Sequence, residues 1–346
     1  MSIKTKRYLY LSLGLVVSGL LIWILFRNID FKKLFLALEE ANYYWLIPNI
    51  ILIVVTMYLR AYRWKFMVIP IKKIKFSNLF AATCIGFMAN NVLPLRLGEF
   101  VRAYSLSSQD KGITKSASLA TIFVERMVFD LMALLLIFGA VLTFSESLRH
   151  HLDANIIFST KVAIVVALIG LLIVLILALR PNQVGNILTK YLFFLPTKVN
   201  DFIKNVIIKF SRGLKFITQF KLVTNVGLQT FVIWFVMGVS NYFVFKAFYF
   251  KIPFDASFVL LVFVSILILA PSTPGFLGVY HYGVVLALAV YGIPKEEALS
   301  CALVLHATQY IVVTLMGFYF LKKEHLSLKD LEDSAAEEIK DLETTE

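Results

Sequence analysis

Residues 118–144 read SLATIFVERMVFDLMALLLIFGAVLTF, an apolar run that contains three ionisable side chains, Glu125, Arg126 and Asp130. A helix that crosses the hydrocarbon core of a bilayer needs about 20 mostly apolar residues, so this run is long enough to span a membrane. Ionisable groups near the centre of such a helix cost at least ~2.5 kcal/mol each and therefore indicate function by default. The segment predicts both the class of fold and the region of the site.

The composition of the whole chain agrees with a membrane protein. Of its 346 residues, 59% are hydrophobic and 16% are charged, whereas soluble domains average about 25% charged residues. This excludes an ordinary soluble enzyme, a disordered chain and a disulfide-rich scaffold. The two cysteines, Cys84 and Cys301, lie in apolar stretches and support neither a disulfide framework nor a metal site. We predict no metal and no cofactor.

Two apolar regions of the sequence are interrupted by polar residues, proline or glycine, so neither forms one continuous apolar span. Ser77–Tyr104 breaks at residues 90–94, and Ala256–Tyr291 breaks at Pro271–Gly275 into pieces of roughly 15 residues. Each piece would reach only about 23 Å, which is short of a ~30 Å hydrocarbon core. We therefore predict an all-α polytopic membrane protein with two re-entrant helical hairpins and six full spans, which are Tyr8–Phe26, Trp45–Met67, Ser118–Phe144, Ile157–Leu179, Val223–Phe245 and Ala298–Leu321.

The two interrupted regions resemble each other. An offset of about 180 residues aligns Pro94–Gly98 with Pro274–Gly278 and Gly112–Lys115 with Gly292–Lys295. Each half then contains two spans, a hairpin and a third span, so the second copy is inverted, as in many transporters. We predict one membrane domain over residues 1–321, with repeats at about 1–144 and 157–321. Accidental recurrence of the motif is the alternative.

The formal net charge of +12 is concentrated in loops. The positive-inside rule places two basic loops, and with them both termini, in the cytoplasm. The second loop contains a basic amphipathic segment, 181–222, which would lie on the membrane surface beside anionic lipids. The tail, 322–346, is acidic and would be disordered or a short exposed helix. The basic residues that we assign to the first of the two loops are Arg60, Arg63, Lys65, Lys72, Lys73 and Lys75.

Six ionisable side chains of the first half form the candidate site. Arg126 and Asp130 are four residues apart and can pair, whereas Glu125 points about 100° away, toward the arginines of the first hairpin. Arginine forks match phosphate oxygens well, so a lipid head group that bears phosphate is the predicted ligand. A purely structural network of ion pairs is the alternative. The six candidates are Arg96, Glu99, Arg102, Glu125, Arg126 and Asp130.

The second half has neutral residues at the corresponding positions, where His306 aligns with Arg126. Histidines could relay protons or contact the head group, and hydrogen-bonded interior histidines are the simpler interpretation. The Pro–Gly break would supply flexibility or exposed carbonyl groups, or it is a plain turn, and Gly278, like Gly98, is interpreted as a close-packing position. The second-half candidates are Pro274, Gly275, Gly278, Tyr280, His281 and His306.

Familiar catalytic motifs are absent from the sequence. It contains no Gly-x-x-x-x-Gly-Lys phosphate loop, no His-Glu-x-x-His and no Gly-x-Ser-x-Gly. Asp30, Glu39 and Glu40 could serve as catalytic carboxylates of a membrane enzyme, and surface solvation is their simpler role. We assign no catalytic residue and predict that the chain is not an enzyme.

Three motifs of the sequence are shared with a known family. They are Asn91-Val92-Leu93-Pro94-Leu95-Arg96-Leu97-Gly98-Glu99-Phe100-Val101-Arg102, the Glu125-Arg126 pair with Asp130, and Pro271–Gly278. Over residues 8–321 the chain resembles the lysylphosphatidylglycerol synthase transmembrane-region family. The resemblance implies a bacterial or archaeal plasma (inner) membrane protein that flips polar lipids. It also implies roles for Arg96, Glu99, Arg102, Glu125 and Arg126. The chain departs from the family in Gly278-Val279-Tyr280-His281, where many members have Gly-Val-Arg-Glu, and in Asp130, which lies one residue beyond the family spacing.

In bifunctional relatives this module precedes a soluble domain that transfers lysine from lysyl-tRNA to phosphatidylglycerol. Only 25 residues follow Leu321 here, so we expect no such domain. The leading hypothesis is a stand-alone lipid translocase whose partners are membrane phospholipids or lipid-linked intermediates, with no nucleic acid. The alternatives are an enzyme or enzyme subunit that modifies lipid-linked sugars or isoprenoid phosphates, and a membrane scaffold. A homo-oligomer is left open.

Overall fold

The described part of the protein is built from helices alone. The computed structural model describes residues 3–93, 97–144, 214–270 and 272–331, with isolated positions between 162 and 183, and no strand occurs among them. The helices are α1 (Ile3–Phe26), α2 (Phe31–Glu40), α3 (Leu46–Val68), α4 (Phe76–Val92), α5 (Gly98–Gln109), α6 (Lys115–Val124), α7 (Leu131–Phe144), α8 (Phe220–Ala247), α9 (Ala256–Leu267), α10 (Val279–Ala289) and α11 (Lys295–Lys323).

Four helical segments are long and apolar enough to cross a membrane, so the chain is a multi-pass membrane protein. They are Tyr43–Val68, Lys115–Thr143, Phe220–Ala247 and Lys295–Lys323, and they coincide with four of the predicted spans. Their outward surfaces are suited to lipid chains because large apolar side chains are exposed along them, among them Ile47, Ile51, Leu228, Phe235, Ile311 and Leu315.

The other two predicted spans are not among these four helical segments. Helix α1 covers the first of them, and Ser12–Phe26 meets α2 at 88°, so the two count as a fifth span only if the bent pair is one crossing. The predicted span Ile157–Leu179 lies outside the described residues apart from isolated positions. The count of six spans and the inverted repeat therefore stay predictions.

The bend between α1 and α2 has a local cause. Asn28 adopts a left-handed conformation with φ of 60°, and the Asp30 side chain accepts hydrogen bonds from the backbone N–H groups of Lys32 and Lys33 at 3.0 and 3.3 Å. An aspartate in this N-cap position satisfies N–H groups that have no partner within the helix. The structure thus gives Asp30 a capping role in starting α2.

Helices α4 and α5 form the first hairpin, and residues 94–96 between them lie outside the described part. Asn90 Oδ1 accepts a hydrogen bond of 2.8 Å from the backbone N–H of Gly98. A Cβ atom at Gly98 would contact the carbonyl oxygen of Gly86, so Gly98 is a close-packing position, as the sequence predicted. With 12 residues, α5 rises only about 18 Å, which is compatible with a hairpin that does not cross the membrane.

The second interrupted region has a similar order of elements. After α9, a 3₁₀ turn at Pro274–Phe276 precedes α10. Gly275 and Gly278 have φ of 70° and 80°, a left-handed backbone that glycine adopts readily because it has no Cβ. A Cβ atom at Gly278 would lie 2.8 Å from the carbonyl oxygen of Ser18 in α1. The predicted close packing at this glycine is confirmed.

The two breaks contact each other beside α11. A Cβ atom at Gly275 would lie 3.4 Å from the carbonyl oxygen of Asn91 and 2.7 Å from the ring of Tyr310. The Asn91 amide donates a hydrogen bond of 2.9 Å to Thr314 Oγ1. The end of α4 and the Pro–Gly turn are therefore joined through the middle of one long helix.

The segments predicted at the membrane surface are described only in part. Of the basic segment 181–222, most residues lie outside the described ranges, while Leu214 and Phe216 are buried. The tail 322–346 is described as far as Leu331, which is buried in a cluster that includes Leu97, Val101 and Leu321. The apolar side chains at 326, 328 and 331 pack on the first hairpin, while most of the other described tail residues, such as Lys323, His325 and Lys329, are exposed.

A surface ion pair outside the membrane-spanning segments predicts a small pH dependence. Lys72 Nζ lies 2.5 Å from Asp110 Oδ1, and this hydrogen bond, together with one from the Gly112 backbone N–H, lowers the pKa of Asp110 below its ordinary value of 3.8. A lowered pKa in the folded state means that the pair stabilises above about pH 3.8, and that this stabilisation is lost as the pH falls through the folded-state pKa.

We therefore expect Asp110→Asn to lower the free energy of unfolding at pH 7 by less than about 1 kcal/mol, because exposed pairs are screened by solvent. The difference from the wild type should disappear in strong acid and shrink in high salt. Thermal unfolding in detergent at several pH values measures it, with Lys73→Met as a control that removes a neighbouring charge. A difference that stays constant across the pH series contradicts this role for the pair.

Candidate functional site

The candidate site is centred on Arg63, whose guanidinium group binds two carboxylates. Arg63 Nη1 lies 2.6 Å from Asp130 Oδ1, and Nη2 lies 2.8 Å from Glu125 Oε1. Nη1 also donates a hydrogen bond of 2.8 Å to Thr230 Oγ1 on α8. The side chains of Arg63 and Glu125 are fully buried. The three elements α3, α8 and the stretch after α6 are thereby tied together by charge-assisted hydrogen bonds.

The stretch Glu125–Asp130, which joins α6 to α7, is a π-helical turn. In a regular α-helix, residues five apart lie about 140° apart around the axis, so Glu125 and Asp130 would face different directions. The i→i+5 hydrogen bonding of a π-turn brings such residues to one side, and π-turns are frequent at functional sites. This local geometry is what lets both carboxylates bind the same arginine.

Arg102 brings the first hairpin into the network. Its Nη1 lies 3.0 Å from Glu125 Oε1, and its side chain is 2% exposed. Its guanidinium carbon lies 3.9 Å from the centre of the Trp64 ring, a cation–π arrangement, and Trp64 Nε1 donates a hydrogen bond of 2.8 Å to Thr121 Oγ1. The predicted direction of Glu125, toward the hairpin arginines, is confirmed for Arg102.

Arg126 and Glu99 form the accessible edge of the network. Arg126 Nη1 lies 3.2 Å from Asp130 Oδ2, which confirms the predicted pair, and its Nε lies 3.5 Å from Glu99 Oε1. The side chains of Arg126 and Glu99 are 25% and 32% exposed, in contrast to the sealed groups around Arg63. A ligand that reached the cluster would meet these two residues first.

Two arginines of the site were assigned to a loop by the sequence interpretation, and the structure corrects this. Arg60 and Arg63 lie within α3, and both are buried. Because α3 continues to Val68, Arg60 lies eight residues, or about 12 Å, inside its end. The missed signal was the i, i+3, i+4, i+7 spacing of Arg60, Arg63, Trp64 and Met67, which places all four on one helical face.

The structure thus brings five of the six first-half candidates together, namely Glu99, Arg102, Glu125, Arg126 and Asp130. The sixth, Arg96, lies outside the described residues. The chemistry of the cluster is that of anion recognition: guanidinium groups are fixed by buried carboxylates, and one of them is exposed at the edge. Among the described residues, no group of three His, Cys, Asp or Glu side chains could hold a metal ion.

The sequence comparisons agree with this picture. The profile of the family described as the lysylphosphatidylglycerol synthase transmembrane region matches residues 11–317 of the chain. The chain belongs to this family. The UPF0104 membrane protein MJ1078 of Methanocaldococcus jannaschii, which is in the same family, is 27% identical over 243 residues, or 68% of this chain and 95% of that protein. No solved structure matches the chain significantly.

The candidate residues of the second half lie together at the Pro–Gly turn, where they form a cluster without charged side chains. His306 Nε2 lies 2.8 Å from the carbonyl oxygen of Gly275, so this nitrogen donates. His281 Nδ1 accepts a hydrogen bond of 3.4 Å from the backbone N–H of Gly278, and the two imidazole rings are 4.7 Å apart. The Tyr280 ring stacks on His306 at 4.8 Å. Both histidines therefore hold the turn in place, and contact with a head group stays a prediction.

A separate pocket lies where α2 meets the start of α11. It has a volume of about 290 Å³, and its charged lining residues are Lys33, Glu40, Glu296 and Glu297. Glu296 also approaches the backbone N–H of Asp30, at 3.4 Å. Of the carboxylates considered for an enzyme, Glu40 lines this pocket, whereas Asp30 caps α2.

Proposed function

We propose that the protein is a translocase for a polar lipid with a phosphate-bearing head group. The observation that carries the proposal is the buried cluster of four arginines and three carboxylates, which opens to the surroundings at Arg126 and Glu99. Burying so many charges is costly unless they are paired, and an anionic ligand gives such a cluster a function. Membership of a membrane family named for a lipid synthase is consistent with this role.

The contacts divide the site residues by role. Arg126 would bind the phosphate, because it is charged, partly exposed and able to offer a planar fork, and Glu99 would limit how tightly the anion is held. Arg63 and Arg102 are bound to buried carboxylates, so they would orient Glu125 and Asp130 and would not bind the ligand. Arg96 is a further predicted contact. The acyl chains would remain among the exposed apolar side chains of the long helices.

Movement of the lipid would use the junction of the two breaks. The end of α4 and the Pro–Gly turn touch at Asn91 and Gly275, and a backbone with left-handed glycines can change direction at low cost. Rocking of the two halves about this junction would expose the head-group site to one leaflet and then to the other.

Translocation assays test the role of Arg126. We expect Arg126→Gln to lower the rate at which reconstituted protein moves a labelled anionic phospholipid between leaflets by about tenfold or more, since a hydrogen bond to a charged group contributes roughly 1.5–3 kcal/mol. The matched control is Arg27→Gln, because Arg27 also lies over an aromatic ring, that of Trp23, and makes none of the ion pairs of the cluster.

The control should move lipid at the wild-type rate, and both variants should elute as monodisperse protein. If Arg126→Gln protein moves every tested head group as fast as the wild type, Arg126 is not the phosphate-binding residue and the proposal fails.

The pocket at the α2 end favours a second candidate, an enzyme or enzyme subunit that modifies lipid-linked sugars or isoprenoid phosphates. Glu40, Glu296 and Glu297 converge there beside Lys33, and carboxylates are the usual acid–base groups of such reactions. The lipids of a strain that lacks the protein separate the two candidates. A translocase leaves the set of lipid structures unchanged and alters their distribution between leaflets, whereas an enzyme changes the structures themselves.

A further inference from the structure

Arg60 differs from the other arginines of the cluster in its surroundings. Its side chain points among α3, α4 and α8, and the residue is 7% exposed. Nη2 donates to Met237 Sδ at 3.1 Å, and thioether sulfur is a weak acceptor. Nη1 is buried and has no hydrogen-bond partner within the described part of the chain. The guanidinium group thus has no oxygen acceptor there.

The carboxylates of the cluster are already occupied by other arginines. Glu125 binds Arg63 and Arg102, Asp130 binds Arg63 and Arg126, and Glu99 lies beside Arg126. Arg102 also has nitrogen atoms without acceptors, but Glu125 compensates its charge. Among the described members of the cluster, four guanidinium groups face three carboxylates, which leaves one positive charge in excess, and Arg60 is the group without a carboxylate partner.

Arg60 is linked to the exposed edge through Phe87. The guanidinium carbons of Arg60 and Arg126 lie 4.9 and 5.0 Å from the centre of this one ring. Two like charges that share a ring repel each other, and an anion that reached both would remove the repulsion and supply the missing acceptor.

We propose that Arg60 is an anion-binding residue of this site, where an oxygen of a phosphate group accepts the hydrogen bond of Nη1. The proposal rests on the proposed function for the class of ligand and adds a residue that the sequence pattern assigned to a loop. The phosphate belongs either to a lipid head group or to the free ion, and both present the same oxygen atoms. In the absence of the anion, Arg60 is a buried charge that destabilises the fold.

This role predicts opposite effects on stability with and without the anion. In delipidated protein, Arg60→Met should raise the midpoint of thermal unfolding by about 2 °C or more, because it replaces a buried charge, which has no carboxylate at ion-pair distance among the described residues, by an apolar side chain of similar length. The same substitution should abolish the rise in midpoint that the wild type shows with a short-chain phosphatidylglycerol or with inorganic phosphate, measured at constant ionic strength.

Arg60→Lys keeps the charge and loses the fork, so it should bind the same probes about tenfold more weakly. Lys65→Met is the matched control: it removes one charge from the same helix, and it should leave the midpoint and both anion-dependent rises unchanged. A rise with phosphatidylglycerol alone identifies the lipid head group as the source of the phosphate, and a rise with both probes identifies the phosphate group itself.

The proposal is overturned if Arg60→Met lowers the midpoint of the delipidated protein, if the variant keeps the anion-dependent rise, or if the wild type shows none with either probe. These results are independent of transport, since binding is measured in detergent. Wild-type binding by Arg60→Met, together with lost translocation by Arg126→Gln, would refute the role of Arg60 and leave the proposed function intact.

Discussion

Replacing Arg63 by methionine is expected to lower the free energy of unfolding by about 3–5 kcal/mol, the usual cost of removing one partner from a buried ion pair, because the buried carboxylates of Glu125 and Asp130 would each lose one of their two arginine partners. Here the substitution would leave Glu125 with Arg102 alone and Asp130 with Arg126 alone. It would also leave Thr230 Oγ1 without its donor. We expect little folded, monodisperse protein after extraction in detergent.

Thermal unfolding and gel filtration measure this effect, and Lys65→Met is again the matched control, since Lys65 lies two positions away on α3 and packs over the Tyr62 ring at 5.8 Å. An Arg63→Met protein that unfolds at the wild-type temperature would show that the network does not stabilise the fold.

The contrast between two arginines one helical turn apart separates structure from ligand binding. Arg63 has two carboxylate partners, and its loss should destabilise the protein. Arg60 has none among the described residues, and its loss should stabilise the protein and weaken anion binding. A cluster that was wholly structural, the alternative that the sequence left open, would give destabilisation at both positions.

Hydropathy was sufficient to predict the long helices, and the cost of charge in a membrane was sufficient to predict most of the site. Runs such as 118–144 have one plausible conformation in a bilayer, and Glu125, Arg126 and Asp130 have few uses there other than pairing or function. Arg60 and Arg63 were missed because the same charges that mark a cytoplasmic loop can lie inside the last turns of a helix. Charge counting alone does not distinguish the two, whereas the periodicity of the flanking apolar residues does.

The position of Asp130 required the structure. It lies one residue beyond the spacing that the family resemblance implies, and helical periodicity placed it apart from Glu125. The π-turn at Glu125–Asp130 accommodates one extra residue within a helix and returns Asp130 to the cluster. Local backbone choices of this kind depend on tertiary partners such as Arg63, so they are not encoded in the hydropathy of the segment.

The contact between the two breaks required the structure. The shared Pro and Gly motif predicted two similar hairpins, but the partners that join them, Asn91 on one side and Gly275 on the other, lie far apart in sequence. The two halves also differ in chemistry: charged groups follow the first break, and neutral aromatic groups, His306 among them, surround the second. The inverted relation of the halves itself stays a prediction.

The hairpin that positions Arg102 depends on the close approach of Gly98 to α4. We expect Gly98→Ala to lower the free energy of unfolding by about 1–3 kcal/mol, the usual cost of forcing atoms into a packed interior, because the added Cβ would overlap the carbonyl oxygen of Gly86 and the Asn90 side chain. Displacement of α5 would also separate Arg102 from Glu125, so anion binding should weaken together with stability.

The matched control is Gly227→Ala on α8, where nothing lies within 4 Å of an added Cβ. Because alanine is favoured over glycine inside a helix by roughly 0.5–1 kcal/mol, this variant should be as stable as the wild type or more so. The same substitution is thus expected to lower the stability at position 98 and to maintain or raise it at position 227. Thermal unfolding of both variants in one detergent measures the difference. If Gly98→Ala changed the midpoint of unfolding no more than Gly227→Ala does, the close contact between Gly98 and α4 would not hold the hairpin together. Another contact would then have to place Arg102 beside Glu125.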